Sequence, residues 1–195
     1  MKKLFCTLTA VLSLITLTTK VDAQTSIESW YTYWGLGYAS PTYTGPLDNV
    51  LDQVRDIDGM ENISIGIDML GFYLPLNNQT MLGGIINGWG DSYTYNEQEM
   101  QINGYLYSAS AMYFLQSNIG DGFFLRGDLG AAKMLITATG AKDTSSDWGW
   151  GVLVGGGYAI PLNDETRILI NINYTTSSIE DETYSTFQIM VGGLF

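Results

Sequence analysis

Histidine is absent from this sequence, and cysteine occurs only once, as Cys6. Histidine is the side chain that exchanges protons near neutral pH, and a serine without a base partner is a poor nucleophile. The absence of histidine therefore argues against acid–base or serine catalysis. The near absence of both residue types also removes the usual ligands of zinc and other transition metals. The sequence predicts no enzyme, no metal site and no cofactor.

Positive charge is scarce as well, with 8 Lys and Arg against 20 Asp and Glu. Nucleic acids bind basic surfaces, so this balance argues against a nucleic-acid partner. Beyond residue 17, no segment is apolar over the ~18 residues that a membrane-spanning helix needs. Any crossing of a membrane must therefore be made by strands, whose backbone groups pair with one another.

The amino terminus has the pattern of a secretory signal peptide. Lys2 and Lys3 precede an apolar run over 4–17, and Ala23 ends a stretch suited to cleavage before Gln24. Cys6 lies before the apolar run rather than after it, so a lipoprotein is not predicted. We expect removal of 1–23, which changes the net charge from −12 to −14 and leaves one domain, 24–195.

Eight segments of strand length follow, with large apolar residues alternating with small or polar ones. They span 30–40, 63–74, 80–89, 102–115, 122–137, 148–160, about 167–175 and 184–195. The third alternates poorly and is assigned from its length and context. Short connections (75–79, 116–121, 161–165) alternate with longer ones (41–62, 90–101, 138–147, 176–183). The pattern predicts an all-β fold, an eight-stranded antiparallel up-and-down barrel. Tyr73 and Tyr158, just before two short turns, are expected in an outer aromatic girdle.

The face opposite the large apolar residues indicates the environment of the barrel. It carries Gly, Ser, Asn and Ala with few charges, which suits a narrow lumen better than a water-exposed exterior. The apolar face is therefore expected to contact lipid. The polar residues predicted to face the lumen are Asp68, Arg126, Asp128, Arg167, Asn171, Asn173 and Gln188.

The charges among these lumen residues are expected to pair, because an unpaired charge in a low-dielectric interior is costly. Two interpretations of the lumen network stay open. It is either a structural plug that holds the barrel shut, or the lining of a narrow water path that selects ions or small polar solutes.

The first long connection contains a helical pattern over 46–57. Pro46 suits a first helical turn and Gly59 a stop, and the residues between them are apolar at spacings of three and four. These apolar residues are Leu47, Val50, Leu51, Val54 and Ile57. The polar face is acidic, whereas helices on membrane surfaces usually have a basic one. The apolar side is expected to cover the barrel mouth or contact a partner; the alternative is packing on neighbouring loops.

The longer connections are strongly acidic. Their carboxylates are Asp48, Asp52, Asp56, Asp58, Glu61, Asp91, Glu97, Glu99, Asp143, Asp147, Glu180, Asp181 and Glu182. Only Arg55 and Lys142 balance them. Such oxygen ligands suit loosely bound Ca²⁺ or Mg²⁺, but no spacing resembles a calcium-binding loop. A solvated acidic rim is therefore the favoured interpretation.

The last twelve residues, 184–195, combine this alternation with a terminal aromatic residue. Their large apolar residues are Phe187, Ile189, Val191 and Phe195. The stretch resembles the closing strand of small eight-stranded bacterial outer-membrane barrels, such as OmpX, the OmpA transmembrane domain and the opacity proteins, with OmpW-like proteins as neighbours. Gly193 departs from that family, which usually has a large apolar residue there.

This resemblance implies a location, partners and a function. It implies an integral protein of the cell outer membrane, with short turns in the periplasm and long loops outside. Outer-membrane lipid, the barrel assembly machinery that reads Phe195, and an extracellular partner at the acidic loops would be its partners. The implied function is a non-enzymatic, closed or nearly closed barrel for surface interaction, adhesion or envelope integrity. The alternative is a narrow porin-like channel for ions or small solutes.

Protein purified from outer membranes is expected to begin at Gln24, because cleavage after Ala23 fits the signal-peptide pattern. Intact-protein mass spectrometry measures this directly. The chain expressed as 24–195 provides the reference mass. A mass that still includes residues 1–23 would contradict the prediction.

Overall fold

The computed structural model describes residues 28–116 and 118–195. The predicted signal peptide, 1–23, lies outside these described residues. Within them, the chain forms nine strands and one helix. In chain order they are β1 (Tyr31–Thr42), α1 (Gly45–Arg55), β2 (Glu61–Pro75), β3 (Thr80–Tyr95), β4 (Gln98–Phe114), β5 (Gly122–Ala138), β6 (Thr144–Ser145), β7 (Gly149–Pro161), β8 (Arg167–Ile179) and β9 (Glu182–Leu194). In this part of the chain, no helix has both the length and the apolar character needed to cross a membrane.

Eight long strands close into an antiparallel barrel. The hydrogen-bonded order is β4-β3-β2-β1-β9-β8-β7-β5, and the additional pairing of β4 with β5 closes the ring. The two-residue β6 adds only a short pairing to β5. Closure gives each long strand a partner on both sides, which removes the unpaired edges that an open sheet would have. The predicted eight-stranded barrel with a short helix in its first long connection is confirmed.

The alternating pattern places apolar side chains on the outside of the barrel. Outward-facing residues that are exposed on successive strands include Leu36, Ile65, Leu125, Leu129, Trp150, Val154, Ile170, Ile172, Phe187, Ile189 and Val191. Inward-facing neighbours on the same strands are buried. A closed barrel with an apolar exterior is the arrangement that strands adopt in lipid.

A bulge in β2 reverses the expected orientation of Tyr73. Leu70 has a φ of 52°, and the register between β2 and β3 shifts between Met69 and Phe72. One extra residue in a strand moves the side chains beyond it to the opposite face. Tyr73 is therefore fully buried inside the barrel, and the prediction that it belongs to the outer girdle is wrong. Tyr158 has no such bulge before it and packs edge-to-face against the exposed Phe123.

Two of the predicted long connections are instead tight hairpins. β3 and β4 continue to a turn at Asn96-Glu97, and β8 and β9 to a turn at Glu180-Asp181. All four turn residues have positive φ, between 44° and 67°. Positive φ at both central positions matches the right-handed twist of hairpin strands. The expected loops 90–101 and 176–183 are therefore largely strand.

The two ends of the barrel differ. The short-turn end has the connections 76–79, 115–121 and 162–166, whose described residues belong to no helix or strand. The long-loop end has the two tall hairpins, the α1-containing connection 43–60 and the β6-containing connection 139–148. The predicted helix over 46–57 begins one residue earlier and ends two residues sooner, so Ile57 lies just outside it.

Glu97→Gly is expected to raise the free energy of unfolding by about 0.5–1 kcal/mol, because the left-handed conformation strains residues with a Cβ but not glycine. Glu97 has a φ of 66°. Urea unfolding of the barrel in lipid vesicles, followed by tryptophan fluorescence, measures the change. Gln98→Gly, in the extended backbone of β4, is the matched control and should instead lower stability. Equal losses in both variants would contradict the turn geometry.

Candidate functional site

The lumen of the barrel is filled by three successive layers of side chains. The layer at the short-turn end is apolar and consists of Tyr31, Tyr33, Tyr73, Met81, Ile85, Met112, Phe114, Ile119, Phe124, Ala159, Leu169 and Leu194. The layer at the long-loop end is also apolar and contains Ala39, Tyr43, Leu51, Trp89, Tyr93, Ile102, Leu106, Ala132, Met134, Leu153 and Ile179. Between them lies a polar layer. The interior of an eight-stranded barrel is just wide enough for such side chains to fill it.

Arg126 is the centre of the polar layer. Its Nη1 lies 2.6 Å from Asp68 Oδ2, and its Nη2 lies 2.6 Å from Asp128 Oδ2. Asp68 belongs to β2, and both Arg126 and Asp128 belong to β5. Because β3 and β4 separate these strands in the sheet, the guanidinium bridges two parts of the barrel wall through the lumen. All three side chains are fully buried. The fork of Arg makes it well suited to hold two carboxylates at fixed positions.

Neutral polar groups complete the coordination of the two aspartates. Asn87 Nδ2 donates to Asp68 Oδ1 at 3.0 Å and lies 3.0 Å from Gln188 Oε1. Tyr73 Oη donates to Ser110 Oγ at 2.9 Å, and Ser110 in turn donates to Asp128. One arginine faces two negative charges in a site without bulk water. The hydrogen bonds from these neutral groups therefore help to stabilise the second carboxylate.

The remaining predicted lumen residues lie on either side of this centre. Asn171 accepts from Tyr33 Oη at 3.3 Å and donates to Asn173 at 3.2 Å. Both asparagines are buried. Arg167 is also buried, but nearer the short-turn end, where Nη2 donates to Asp164 O at 2.9 Å and the guanidinium lies 5.3 Å from the Tyr31 ring centre. Arg167 therefore lies between the polar layer and the short-turn end. The polar layer itself contains the other predicted lumen residues, Asp68, Arg126, Asp128, Gln188, Asn171 and Asn173.

Several members of the polar layer were not among the predicted lumen residues. Asn87 lies on β3, where glycines obscure the alternation, and Tyr73 is hidden by the bulge. Ser110, on β4, was also absent from the predicted lumen residues, although it donates to Asp128. The parity that Asn87 shares with Asp91 on β3, opposite to that of Leu82 and Ile86, was the signal that could have found it.

Asp91 forms a second buried carboxylate site at the long-loop end. Its Oδ2 accepts from Tyr43 Oη and from Tyr93 Oη, both at 2.8 Å. Its Oδ1 accepts from Asn62 Nδ2 at 2.7 Å and from Ser64 Oγ. Asp91 is only 1% exposed. Its placement on a solvated acidic rim is therefore wrong, because β3 extends to Tyr95 and directs this side chain inward.

The Asp91 site connects the first loop to the barrel wall. Arg55, in the last turn of α1, donates from Nε to Tyr93 Oη at 3.3 Å, and its guanidinium lies 5.9 Å from the ring centres of both Tyr43 and Tyr93. The pKa of the Tyr43 phenol lies far above its ordinary value. Burial is the largest cause, and the negative charge of Asp91 is the second. The phenol therefore stays protonated and keeps donating to Asp91.

The helix α1 packs one side onto the upper layer. Leu51 is fully buried, and Leu47 and Val54 are partly buried against the same cluster. Val50 and Ile57, the other two apolar residues of the predicted stripe, are exposed. The helix thus covers part of the barrel mouth and leaves part of its apolar surface in solvent.

The carboxyl terminus joins the first strand. Both the N–H and the carbonyl oxygen of Phe195 bond to Thr32, at 2.9 Å each. Phe187, Ile189 and Val191 lie on the outer face. A Cβ added to Gly193 would lie 2.5 Å from Cζ of Phe195, so the terminal ring occupies the place that a larger residue at 193 would need. The terminal ring therefore packs over Gly193.

The filled lumen contains a small cavity. A cavity of about 10 Å³, lined in part by Asn87, Trp89, Leu106 and Thr175, lies above the polar layer. That volume accommodates about one water molecule. Among the described residues, no group of three or more Cys, Asp or Glu side chains is arranged to hold a metal ion.

Comparisons with known proteins agree on the fold. The profile of the family described as "Outer membrane protein beta-barrel domain" matches residues 8–195. Neisserial surface protein A (NspA) superposes with a TM-score of 0.57 at 10% identity, covering 86% of this chain and 96% of that one. Ail, the attachment invasion locus protein of Yersinia pestis, superposes with a TM-score of 0.53 at 16% identity, covering 86% and 100%. None of the curated proteins matches the sequence.

Arg126→Gln is expected to lower the free energy of unfolding by about 3–5 kcal/mol, because it leaves two buried carboxylates without their cation. Urea titration in lipid vesicles measures the loss. Arg55→Gln is the control, since Arg55 lies at the surface 3.3 Å from Asp52, and it should cost about 1 kcal/mol or less.

A triple variant tests the cause of the Arg126 effect. Adding Asp68→Asn and Asp128→Asn to Arg126→Gln removes the uncompensated charge, so part of the lost stability should return. Equal losses for Arg126→Gln and Arg55→Gln would show that the buried ion pairs do not stabilise the barrel.

Proposed function

The chain belongs to the outer membrane protein β-barrel domain family, and on that premise we propose that it is a closed, non-enzymatic barrel whose function lies at its long-loop end. In this proposal, lipid surrounds the apolar exterior and the lumen serves only to hold the wall together. The hairpins, α1 and the connecting loops form the surface that meets other molecules outside the cell. The assembly machinery would read the closing strand with its terminal Phe195.

The filling of the lumen is the observation that carries this proposal. Apolar layers lie at both ends, and Arg126 joins β2 and β5 between them. An ion on its way through would have to separate a buried arginine from two carboxylates and displace both apolar layers. Breaking such a buried pair costs about 3–5 kcal/mol, before the displacement of the layers is counted.

The structure of the long-loop end supports a display role. The Asp91 site fixes Tyr43 and Asn62, on either side of α1, to the same carboxylate. Hydrogen bonds that fix a surface before binding reduce the entropy lost when a partner binds. In bacterial barrels the longer loops face outside, so this anchored surface is the one that a partner would meet.

The charge of this end indicates the kind of partner. Ail has been solved in complex with a heparin analogue, sucrose octasulfate, which is a polyanion. The long-loop end of the present chain is acidic, with carboxylates such as Asp52, Glu97 and Glu180 exposed or near the surface. Electrostatic complementarity therefore favours a cationic partner here and disfavours a polyanion. The shared fold does not carry Ail's ligand to this protein.

A narrow channel is the alternative function. The observation that favours a channel is the polar layer, where Arg126, Asn171 and Gln188 lie together in the middle of the lumen. In a channel these groups would line a hydrated path and set its ion preference. This function requires a second conformation in which both apolar layers open.

The folded protein is expected to produce no discrete conductance steps in a planar lipid bilayer, because the lumen is filled. Folding is verified beforehand by protease resistance and by migration in unheated detergent gels. Arg126→Gln should loosen the network and produce irregular leakage without ion preference. Lys133→Gln removes a positive charge that lies beside Trp148 and should stay silent.

Reproducible, ion-selective steps from the unmodified protein would overturn the closed-barrel proposal and support the channel. In that case Arg126→Gln should change the ion preference rather than create leakage.

A further inference from the structure

A pocket opens at the long-loop end, apart from the lumen network. Its volume is about 390 Å³. The start of α1, the segment containing β6, and the β8–β9 hairpin surround it. Leu47, Ile136, Ile179 and Tyr184 supply much of its apolar lining. Pockets that bind small ligands usually measure roughly 300–1,000 Å³, so this one suits one or two side chains rather than a large group.

Two carboxylates of the pocket lining are held in place by neighbouring segments. Glu180 Oε1 accepts from the backbone N–H of Asp147 at 2.7 Å. Glu182 Oε2 accepts from Thr44 Oγ1 at 2.9 Å. An ionised carboxylate has about four acceptor positions, so each group keeps acceptor capacity for a ligand. The same bonds tie the hairpin to the two other walls and so preform the pocket.

The electrostatics of the pocket select against anions. Among the described residues that line it, Glu180 and Glu182 are the charged ones, and neither Lys nor Arg is present. The surrounding surface is acidic as well, with Asp181 exposed in the turn. A cationic group would gain attraction from both carboxylates, whereas an anion would be repelled.

The combination of apolar lining and carboxylates matches a particular kind of side chain. Arg and Lys carry a long apolar stem with a charged head, so the stem can contact Ile179 and Tyr184 while the head reaches a carboxylate. Arg can also contact a carboxylate through two parallel hydrogen bonds. A bare inorganic cation would leave the apolar lining unused.

We propose that this pocket binds an arginine or lysine side chain, together with an adjacent apolar residue, from an extracellular polypeptide. The inference rests on the proposed display function, because the partner can reach the pocket only if the long-loop end faces outside. It specifies that function by naming a site, the two residues that carry its charge and the chemical class of the ligand.

Isoleucine methyl NMR on the folded, full-length mature barrel in lipid nanodiscs tests the proposal. The probe is a capped peptide, Gly-Leu-Arg-Leu-Gly, added up to about 10 mM to cover weak binding. Saturable shifts are expected at Ile136 and Ile179, which line the pocket. Ile170 and Ile172 lie on the outer face and should not shift. A matched peptide with Gln in place of Arg should bind at least about fivefold more weakly.

Variants of the hairpin identify the carboxylates that bind. Glu180→Gln and Glu182→Gln keep an acceptor for Asp147 and Thr44 but remove the charge, so each should weaken binding of the Arg peptide by about two- to fivefold. Asp181→Asn is the matched control. It removes the same charge from the same turn, but it does not belong to the pocket lining. The affinity of Asp181→Asn for the Arg peptide should stay close to that of the unmodified protein.

Several results would overturn the proposal. These are no saturable shift at Ile136 and Ile179, equal binding of the Arg and Gln peptides, or equal effects of Glu180→Gln and Asp181→Asn. Shifts confined to Ile170 and Ile172 would show partition into lipid and would also overturn it. Failure here is distinct from failure of the closed-barrel proposal, which conductance decides on the same folded sample.

Discussion

The bridge from Arg126 to Asp68 and Asp128 is the interaction on which the interior of this barrel depends. It connects strands that do not neighbour each other in the sheet, so it constrains the shape of the lumen in a way that backbone pairing alone does not. The apolar layers above and below exclude water from it, which strengthens the electrostatic attraction and makes any unpaired charge costly. Asn87 and Ser110 can satisfy the remaining acceptor positions only because the carboxylates are fixed.

The long-loop end is organised by a separate carboxylate. Asp91 accepts hydrogen bonds from the first loop, from β2 and from β3. Arg55, at the end of α1, donates to Tyr93, one of these donors. On β3, Trp89 of the upper apolar layer lies between Asp91 and Asn87 of the polar layer, so the two carboxylate sites are separate. The barrel thus has one polar centre that specifies the closed lumen and another that specifies the exposed surface.

Much of this architecture could be predicted from the alternation of residue types. Strict period-two patterns identified the strands and the inward orientation of residues such as Arg126, Asp128 and Asn171. The pattern failed where the backbone departs from regular pairing. At the bulge, the residue with positive φ is Leu70 rather than the adjacent Gly71, and one glycine among the many in these strands does not mark a bulge by itself, so Tyr73 was assigned to the wrong face. The turn at Glu180-Asp181 likewise lacks the glycine that usually marks a hairpin.

The candidate site was harder to predict than the fold, for a physical reason. Alternation indicates which way a side chain points but not which side chain across the lumen it meets. The contact between Arg126 and Asp68 depends on the stagger of strands 58 residues apart in sequence. Asp91 was misassigned because the glycines of β3 hide the inward row that contains it. Its four donors come from three separate segments, and no local sequence pattern predicts that these segments come together.

The backbone bonds between Thr32 and Phe195 lie at the seam where the first strand of the barrel, β1, pairs with the last, β9. A cylinder closed by its first and last strands cannot be completed until the last strand is present, so closure depends on β9. A chain shortened by one strand would have two unpaired edges in lipid, where no water can satisfy them. A copy that lacks β9 therefore cannot form the closed cylinder seen here.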